Sequence, residues 1–199
     1  VRHILDLEIK GAARGQLKWG RTNNSYLQGP RSYFGQGAAW RHNWQFELIP
    51  EKREGKNQLK FIHASGKRRL FTETEKNSGI YTAEERFSEK LLSTDDGYRV
   101  TLRNGAQFSF AKVQARDAKD SYRLTQITDS HGKHTLLSYN HEGLLERVQE
   151  PGGKYLRIFY KKELFSGAQW KRLHTIRKSP EKGGWVEVSI KPEDQRLEF

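Results

Sequence analysis

The chain of 199 residues has no cysteine, no methionine and only 5 prolines. Without cysteine, neither a disulfide framework nor a thiolate metal site can form. Its apolar runs all fall well short of the roughly 20 residues that a membrane-spanning helix needs, and it carries no secretory signal peptide. Because methionine is absent, the first residue is not an initiator, and we expect the chain to be a segment of a longer protein.

Hydrophobic residues are also scarce, at 34% of the chain, whereas aromatic residues make up 12%. Disordered chains are poor in aromatics, so this composition favours a folded chain with large solvated surfaces. Antiparallel sheets allow that arrangement, because one face can pack on the core while the other lies in water. The composition therefore favours an all-β fold.

Positive charge exceeds negative charge, with a formal net charge of +12. Such a balance is typical of proteins with an anionic partner, which can be nucleic acid, an acidic glycan or a membrane surface. The positive residues are spread along the chain, however, and the densest run is only Lys67-Arg68-Arg69. Spread charge is also typical of a solvated sheet face, so a binding face and a solvated face both stay open as alternatives.

Alternating apolar residues and turn dipeptides predict consecutive β-hairpins. From Trp44 to Leu48 every second residue is apolar, which is the period of a half-buried strand. Asp96-Gly97 and Asn104-Gly105 bracket the alternating run from Tyr98 to Leu102. Both dipeptides favour the positive φ angles that tight hairpin turns need.

One segment departs from the strand pattern. Thr82-Ala83-Glu84-Glu85 has the spacing of a capping box, in which the first and fourth side chains bond to the backbone of a helix N-terminus. We therefore predict at most one short helix, from Thr82 through Lys90, in an otherwise all-β chain.

Internal similarity marks the last part of the chain and decides the predicted architecture. Three segments share the pattern Leu-x-x-(Ile/Val), and each precedes a glycine and another alternating strand: Leu124–Ile127, Leu145–Val148 and Leu173–Ile176. Each unit is predicted to be one hairpin, which cannot bury its apolar face alone. Hairpins stacked side by side form a continuous sheet. We therefore predict one extended, curved antiparallel sheet, with a non-repetitive β region over residues 1–120 continuous with hairpin repeats over 121–199.

The clearest repeat carries a recognisable pattern. The segment runs Tyr139-Asn140-His141-Glu142-Gly143-Leu144-Leu145-Glu146-Arg147-Val148-Gln149-Glu150-Pro151. It resembles the YD repeat of the RHS family, Tyr-Asp-x-x-Gly-Arg-Leu-x-x-Val-x-x-Pro, although Asn140 replaces the aspartate and Leu144 the arginine. The segment from Asp129 to Lys133 is similar to a second, degenerate copy. The segment from Phe34 to Trp44 is similar to the one that precedes RHS repeats.

The residues of this repeat have structural roles that follow from their chemistry. We expect a positive φ at Gly143, a bond from Asn140 to its own turn backbone, and an end to strand pairing at Pro151. Tyr139 should lie at a strand end with its ring inward and its hydroxyl towards water. Leu145 and the valine three residues later would share the apolar face if a local bulge offsets them.

The resemblance implies a secreted or cell-surface protein, as in bacterial polymorphic toxins, toxin-complex shells and teneurins. It implies a β-sheet that spirals into a hollow shell around a C-terminal effector domain, and this chain would be an N-terminal part of that shell. The implied partners are the rest of the shell and the enclosed domain. An open sheet edge also invites pairing with a second copy of the chain.

The candidate chemical groups do not indicate an enzyme. His131, His134 and His141 cluster around one predicted hairpin without a paired carboxylate, so we interpret them as solvated side chains and not as metal ligands. Neither a G-x-x-x-x-G-K-(S/T) nor a G-x-G-x-x-G motif occurs. Trp40 and Trp44, four apart in a strand-like run, would share one face, where they would either stack on a ligand or pack in the core.

The sequence therefore predicts a non-catalytic structural part of an exported RHS-type β-shell, with no cofactor and no metal. The alternative is a β module that binds a carbohydrate or another polyanion with a basic sheet face. A glycan-active enzyme would need two facing carboxylates, and the sequence does not indicate such a pair.

Overall fold

In the computed structural model, the described residues are 2–9, 17–24, 40–83, 88–113, 121–165, 168–178 and 187–189. They form sixteen strands. They fall into two compact units, which we call unit 1 (residues within 1–44, 64–66 and 146–199) and unit 2 (residues within 45–63 and 67–145). The predicted division after residue 120 concerns the repeat pattern and stays a prediction.

Unit 2 is a succession of antiparallel strands, each paired with the next. The strands are β4 (Glu47–Arg53), β5 (Lys56–Ile62), β6 (Arg68–Glu73), β7 (Ile80–Ala83), β8 (Lys90–Thr94), β9 (Gly97–Thr101), β10 (Gln107–Lys112), β11 (Tyr122–Thr128) and β12 (His134–Tyr139). One edge of β11 is divided between two neighbours. Tyr122 and Arg123 pair with β4, and Gln126, Ile127 and Thr128 pair with β12.

The pairing of β4 with β11 closes the first eight of these strands into a barrel. The all-β antiparallel prediction is therefore confirmed, whereas the extended, curved sheet is wrong for β4 to β11. Hairpin signals fix the pairing of neighbouring strands, but they do not reveal that the first strand of a series meets the last. Closure buries the common apolar face of all eight strands, and it pairs the free edge of β4 with part of the free edge of β11.

The predicted short helix is wrong at both of its ends. Thr82 and Ala83 belong to β7 and pair with Thr72 and Phe71 of β6. Lys90 opens β8 and pairs with Thr82. The intervening residues 84–87 lie outside the described part of the chain. Thr82 is held in the ladder by strands on both sides, so tertiary pairing overrides the local capping signal.

The barrel interior is apolar and draws at least one residue from each strand. The strands β4 to β11 contribute side chains that are all less than a tenth exposed, namely Leu48, Leu59, Phe61, Phe71, Tyr81, Leu91, Val100, Phe110 and Leu124. The rings of Phe61, Phe71 and Phe110 meet edge to face, with centroids 5.9–6.4 Å apart. Such contacts add to the burial of the rings themselves, so this aromatic cluster stabilises the centre of the barrel.

Unit 1 contains two sheets. The first consists of β1 (Arg2–Ile9), β2 (Leu17–Asn23) and β3 (Trp40–His42), paired antiparallel in that order. The second consists of β13 (Leu145–Gln149), whose residues 146–149 lie in this unit, with β14 (Tyr155–Phe165), β15 (Ala168–Lys178) and β16 (Glu187–Ser189). The three predicted repeat hairpins are thus the pairs β11–β12, β13–β14 and β15–β16.

Candidate functional site: the repeated glycine turn

The predicted motif forms a five-residue hairpin turn from Asn140 to Leu144. The backbone N–H of Asn140 donates to the Leu144 carbonyl at 2.9 Å, and the N–H of Gly143 donates to the Asn140 carbonyl at 2.8 Å. Gly143 has a φ of 72°, which costs little only without a Cβ. The Asn140 side chain closes the turn, because its Oδ1 accepts bonds from the N–H groups of Glu142 and Leu144, both at 3.0 Å.

The described residues contain five copies of this turn, including the one at Asn140. In each copy the N–H of the first residue donates to the carbonyl of the fifth at 2.8–2.9 Å, and the fourth residue is a glycine with a φ between 72° and 89°. The copies begin at His63, Leu102, Asp129, Asn140 and Glu150. This is the geometry of a type I turn followed by a glycine bulge, which joins adjacent antiparallel strands. The last three copies follow one another along the chain.

Two of the consecutive turns are capped identically by their first side chain. Asp129 Oδ1 accepts bonds from the N–H groups of His131 at 2.8 Å and Lys133 at 2.9 Å, as Asn140 does at the equivalent positions. The bond from the Lys133 backbone is the main reason that the pKa of Asp129 lies below its usual value. Asparagine and aspartate therefore act as equivalent acceptors in these two turns.

The third consecutive turn departs from this capping. Glu150 is only 4% exposed, and neither of its carboxylate oxygens has a hydrogen-bond partner. Its Oε1 lies 2.7 Å from the point that a Cβ on Gly152 would occupy. The extra methylene of glutamate thus carries the carboxylate past the backbone N–H groups that a shorter side chain reaches. Glu150 is a buried, unsatisfied group that the sequence pattern did not single out.

The other motif residues have distinct structural positions. Tyr139 is half-buried, and its hydroxyl donates to the Leu124 carbonyl at 2.7 Å. The side chain therefore links β12 to β11, and the hydroxyl bonds to the backbone where the sequence predicted that it would face water. Leu145 and Val148 are both buried, at 3% and 0% exposed. Pro151 is exposed and lies in the turn that follows the end of β13. The motif therefore combines strand, turn and core positions between the end of β12 and the turn that follows β13.

The two tryptophans singled out in the sequence do not share one strand. Trp40 lies in β3 and is 2% exposed, whereas Trp44 lies in the following turn, before β4 begins at Glu47. The Trp44 indole N–H donates to the Lys18 carbonyl at 2.8 Å. The predicted common face is therefore wrong, because a turn separates the two residues. Burial of Trp40 fits the core role and not stacking on a ligand.

Trp40 packs in a buried polar cluster on the sheet β1–β3. Asp6 accepts bonds from Arg21 Nε at 2.6 Å and from Arg21 Nη2 at 2.7 Å, and both side chains are less than a tenth exposed. The Arg21 guanidinium lies over the Trp40 ring, 5.4 Å from its centroid. Asp6 reaches this face because the register of β1 shifts between Leu5 and Leu7, which is the effect of a β-bulge.

Three tyrosines that the sequence reasoning missed meet at one end of the barrel. Tyr81, Tyr98 and Tyr122 are near the starts of β7, β9 and β11, and alternate strands of an antiparallel sheet run in the same direction. Tyr98 meets the other two rings edge to face, at centroid distances of 6.0 Å and 4.7 Å. Burial is the main cause that raises the pKa of Tyr98. Tyr81 and Tyr98 each follow shortly after a turn, which was the available sequence signal.

The basic run noted in the sequence does not form a concentrated patch. Lys67 and Arg68 are exposed, but Arg69 forms an ion pair with Glu89. Two other exposed cations, Lys90 of β8 and Arg99 of β9, lie on the outer face of the barrel. Neither forms an ion pair within the described part of the chain. Exposed positive charge without an ion pair in the described residues therefore lies both at Lys67 and Arg68 and on the sheet face that carries Lys90 and Arg99.

The three histidines of the predicted hairpin are all exposed. His134 Nδ1 lies 3.0 Å from Thr128 Oγ1 and 3.1 Å from Gln126 Nε2. Within the described ranges, histidine, cysteine, aspartate and glutamate side chains do not gather in groups of three or more that suit a metal ion. The same ranges contain no helix with the length and apolar character of a membrane span.

Comparisons with known proteins do not assign the chain to a family. No protein-family model matches it, and no curated protein matches it. The resemblance to RHS repeats therefore rests on the residues of the motif alone.

Proposed function

We propose that this chain is a non-catalytic structural part of an exported RHS-type shell that encloses or presents a C-terminal effector domain. The observation that carries the proposal is the recurrent glycine turn, whose last three copies at Asp129, Asn140 and Glu150 directly follow one another. Repetition of one supersecondary unit is typical of proteins that extend by adding hairpins. A secreted or cell-surface location belongs to the same proposal.

The side chains within the hairpins hold turns and neighbouring strands together, which supports a structural role. Asn140 and Asp129 each fix a turn with two hydrogen bonds, Tyr139 ties β12 to β11, and Val148 is fully buried. These contacts hold strands and turns together, as a structural scaffold requires.

The closed barrel changes the proposal for residues 47–128. A shell wall requires a sheet that continues at its edge, and the barrel strands pair among themselves. We therefore assign the scaffold role to the hairpins that follow the barrel, beginning at β12, and treat the barrel as the rigid element from which they start. The rest of the shell and the enclosed domain are the proposed partners.

The proposal is tested with the full-length polypeptide that contains this chain. Limited proteolysis, read by mass spectrometry, should leave the segment downstream of the repeats intact while exposed loops are cut, and electron microscopy should show a closed, hollow particle. The same downstream segment produced alone is the matched control. Equal cleavage of the segment in both forms, or a particle without an interior space, would refute the shell.

A second candidate function is the binding of a polyanion by a basic sheet face. The specific observation that favours it is the pair of exposed cations Lys90 and Arg99, which lie on one face of the barrel without acidic partners in the described residues. Retention on a heparin column that falls steeply with salt would support this candidate, because the release of counterions makes such binding salt-dependent. Absence of retention at low ionic strength would exclude it.

A further inference from the structure

The outer face of the barrel across β7 to β10 forms a continuous surface, which we call the outer wall. Along these strands the inward residues Tyr81, Leu91, Val100 and Phe110 are buried, so their neighbours in sequence point outward. The strand register places the outward residues in two rows. One row is Thr82, Lys90, Thr101 and Gln107, and the other is Ile80, Leu92, Arg99 and Ser109.

Positive charge on the outer wall is not compensated. Both rows lack carboxylates, and their two charged side chains are Lys90 and Arg99. Lys90 is directly opposite Thr101, so Arg99 is its diagonal neighbour, roughly 7–8 Å away at the backbone. Like charges at this spacing repel each other. An anionic group between the two cations would remove that repulsion and accept bonds from both.

The uncharged residues of the outer wall complement a sugar ring. Ile80 and Leu92 are opposite each other and unusually exposed for aliphatic side chains, at 48% and 43%. They offer an apolar floor for the C–H face of a sugar. Thr82 and Thr101 flank Lys90 in its row, and their hydroxyls can donate and accept hydrogen bonds with sugar hydroxyls.

We propose that the outer wall binds an acidic polysaccharide, with a sulfate or carboxylate group between Lys90 and Arg99 and the sugar ring over Ile80 and Leu92. This inference rests on the second candidate function and names its site and ligand class. Nucleic acid is less suitable, because proteins that hold single strands stack bases on aromatic rings. The aromatic residues of these strands, Tyr81 among them, pack inside the barrel.

The test is a titration of the protein with a heparin-derived hexasaccharide at several salt concentrations, followed by calorimetry. The double variant Lys90→Gln, Arg99→Gln should weaken binding about tenfold at low ionic strength. It should also make the negative slope of log affinity against log salt shallower by roughly 1.5, since two charged contacts are lost. Leu92→Ser should weaken binding without changing the slope. The matched control is Lys52→Gln with Lys76→Gln, which removes the same charge from exposed positions off the outer wall and should change little.

The outcomes separate the site from the function. If both double variants weaken binding equally, the protein binds polyanions through its net charge and the outer wall is not the site. If the wild-type chain does not bind the hexasaccharide even at low salt, the second candidate function fails as well. A DNA oligonucleotide that binds more tightly than the hexasaccharide, with the same dependence on Lys90 and Arg99, would replace polysaccharide with nucleic acid and overturn the proposed ligand.

Discussion

Replacement of Glu150 by aspartate should stabilise the protein. Glu150 occupies the same turn position as Asp129 and Asn140, with matching backbone bonds of 2.9 Å and 3.0 Å, yet its buried carboxylate has no hydrogen-bond partner. Aspartate is shorter by one methylene. In this turn its Oδ1 would take the position that Asp129 Oδ1 has in its own turn, where it accepts bonds from two backbone N–H groups. Glu150→Asp should therefore restore the capping that the other two turns have.

The magnitude follows from the bonds gained and the apolar surface lost. Two new hydrogen bonds contribute about 1–3 kcal/mol together, and the loss of one buried methylene costs about 0.8 kcal/mol. We expect the free energy of unfolding to rise by about 0.2–2 kcal/mol. For a chain of this size, each kcal/mol raises the melting temperature by about 2–4 °C.

The assay is chemical denaturation followed by circular dichroism, with a thermal melt as a second measurement. Glu150→Gln is the matched control, because it removes the charge but keeps the length that prevents capping. It should gain less stability than Glu150→Asp. If the aspartate variant is no more stable than wild type, or if the glutamine variant equals it, the turns are not equivalent and the capping argument is wrong.

Three further substitutions test other features by the same denaturation assay. Asn140→Ala removes two accepted bonds and should lower the free energy of unfolding by about 1–3 kcal/mol, whereas an unchanged value would mean that the backbone alone holds the turn. Gly97→Ala would place a Cβ 2.2 Å from the Phe110 carbonyl oxygen, so it should lower the free energy of unfolding by at least about 2 kcal/mol. A smaller decrease would show that β9 and β10 separate easily at this point. Asp6→Ala leaves the buried guanidinium of Arg21 without its carboxylate and should cost about 3–5 kcal/mol, and a loss below 1 kcal/mol would indicate that water replaces the carboxylate.

The sequence was most informative where a feature depends on residues close together in the chain. Asn104-Gly105 predicted a turn that the structure contains, and Gly105 has the positive φ that the dipeptide favours. The three repeat hairpins were found from the pattern Leu-x-x-(Ile/Val), since local turns and alternation fix which neighbouring strands pair. The cap at Asn140 followed from the known preference of its side chain for turn backbone.

The sequence was least informative where distant segments meet. Nothing in the residues around Leu48 or Tyr122 indicates that these two pair and close the barrel. The outer wall also could not be predicted from the sequence, because Lys90 and Arg99 become neighbours only through the register of β8 and β9. Buried groups with no partner, such as Glu150, cannot be recognised from sequence, since they depend on a difference of one methylene in a packed turn.

The divided edge of β11 has a consequence for how this protein changes over evolutionary time. The first residues of that edge complete the barrel with β4, and the later ones accept β12. Hairpins can therefore be duplicated or deleted after β12 without opening the barrel, because its closure uses different residues of the same strand. A tandem duplication of such a hairpin would therefore lengthen the sheet beyond β12 and leave the pairing of β4 with β11 unchanged.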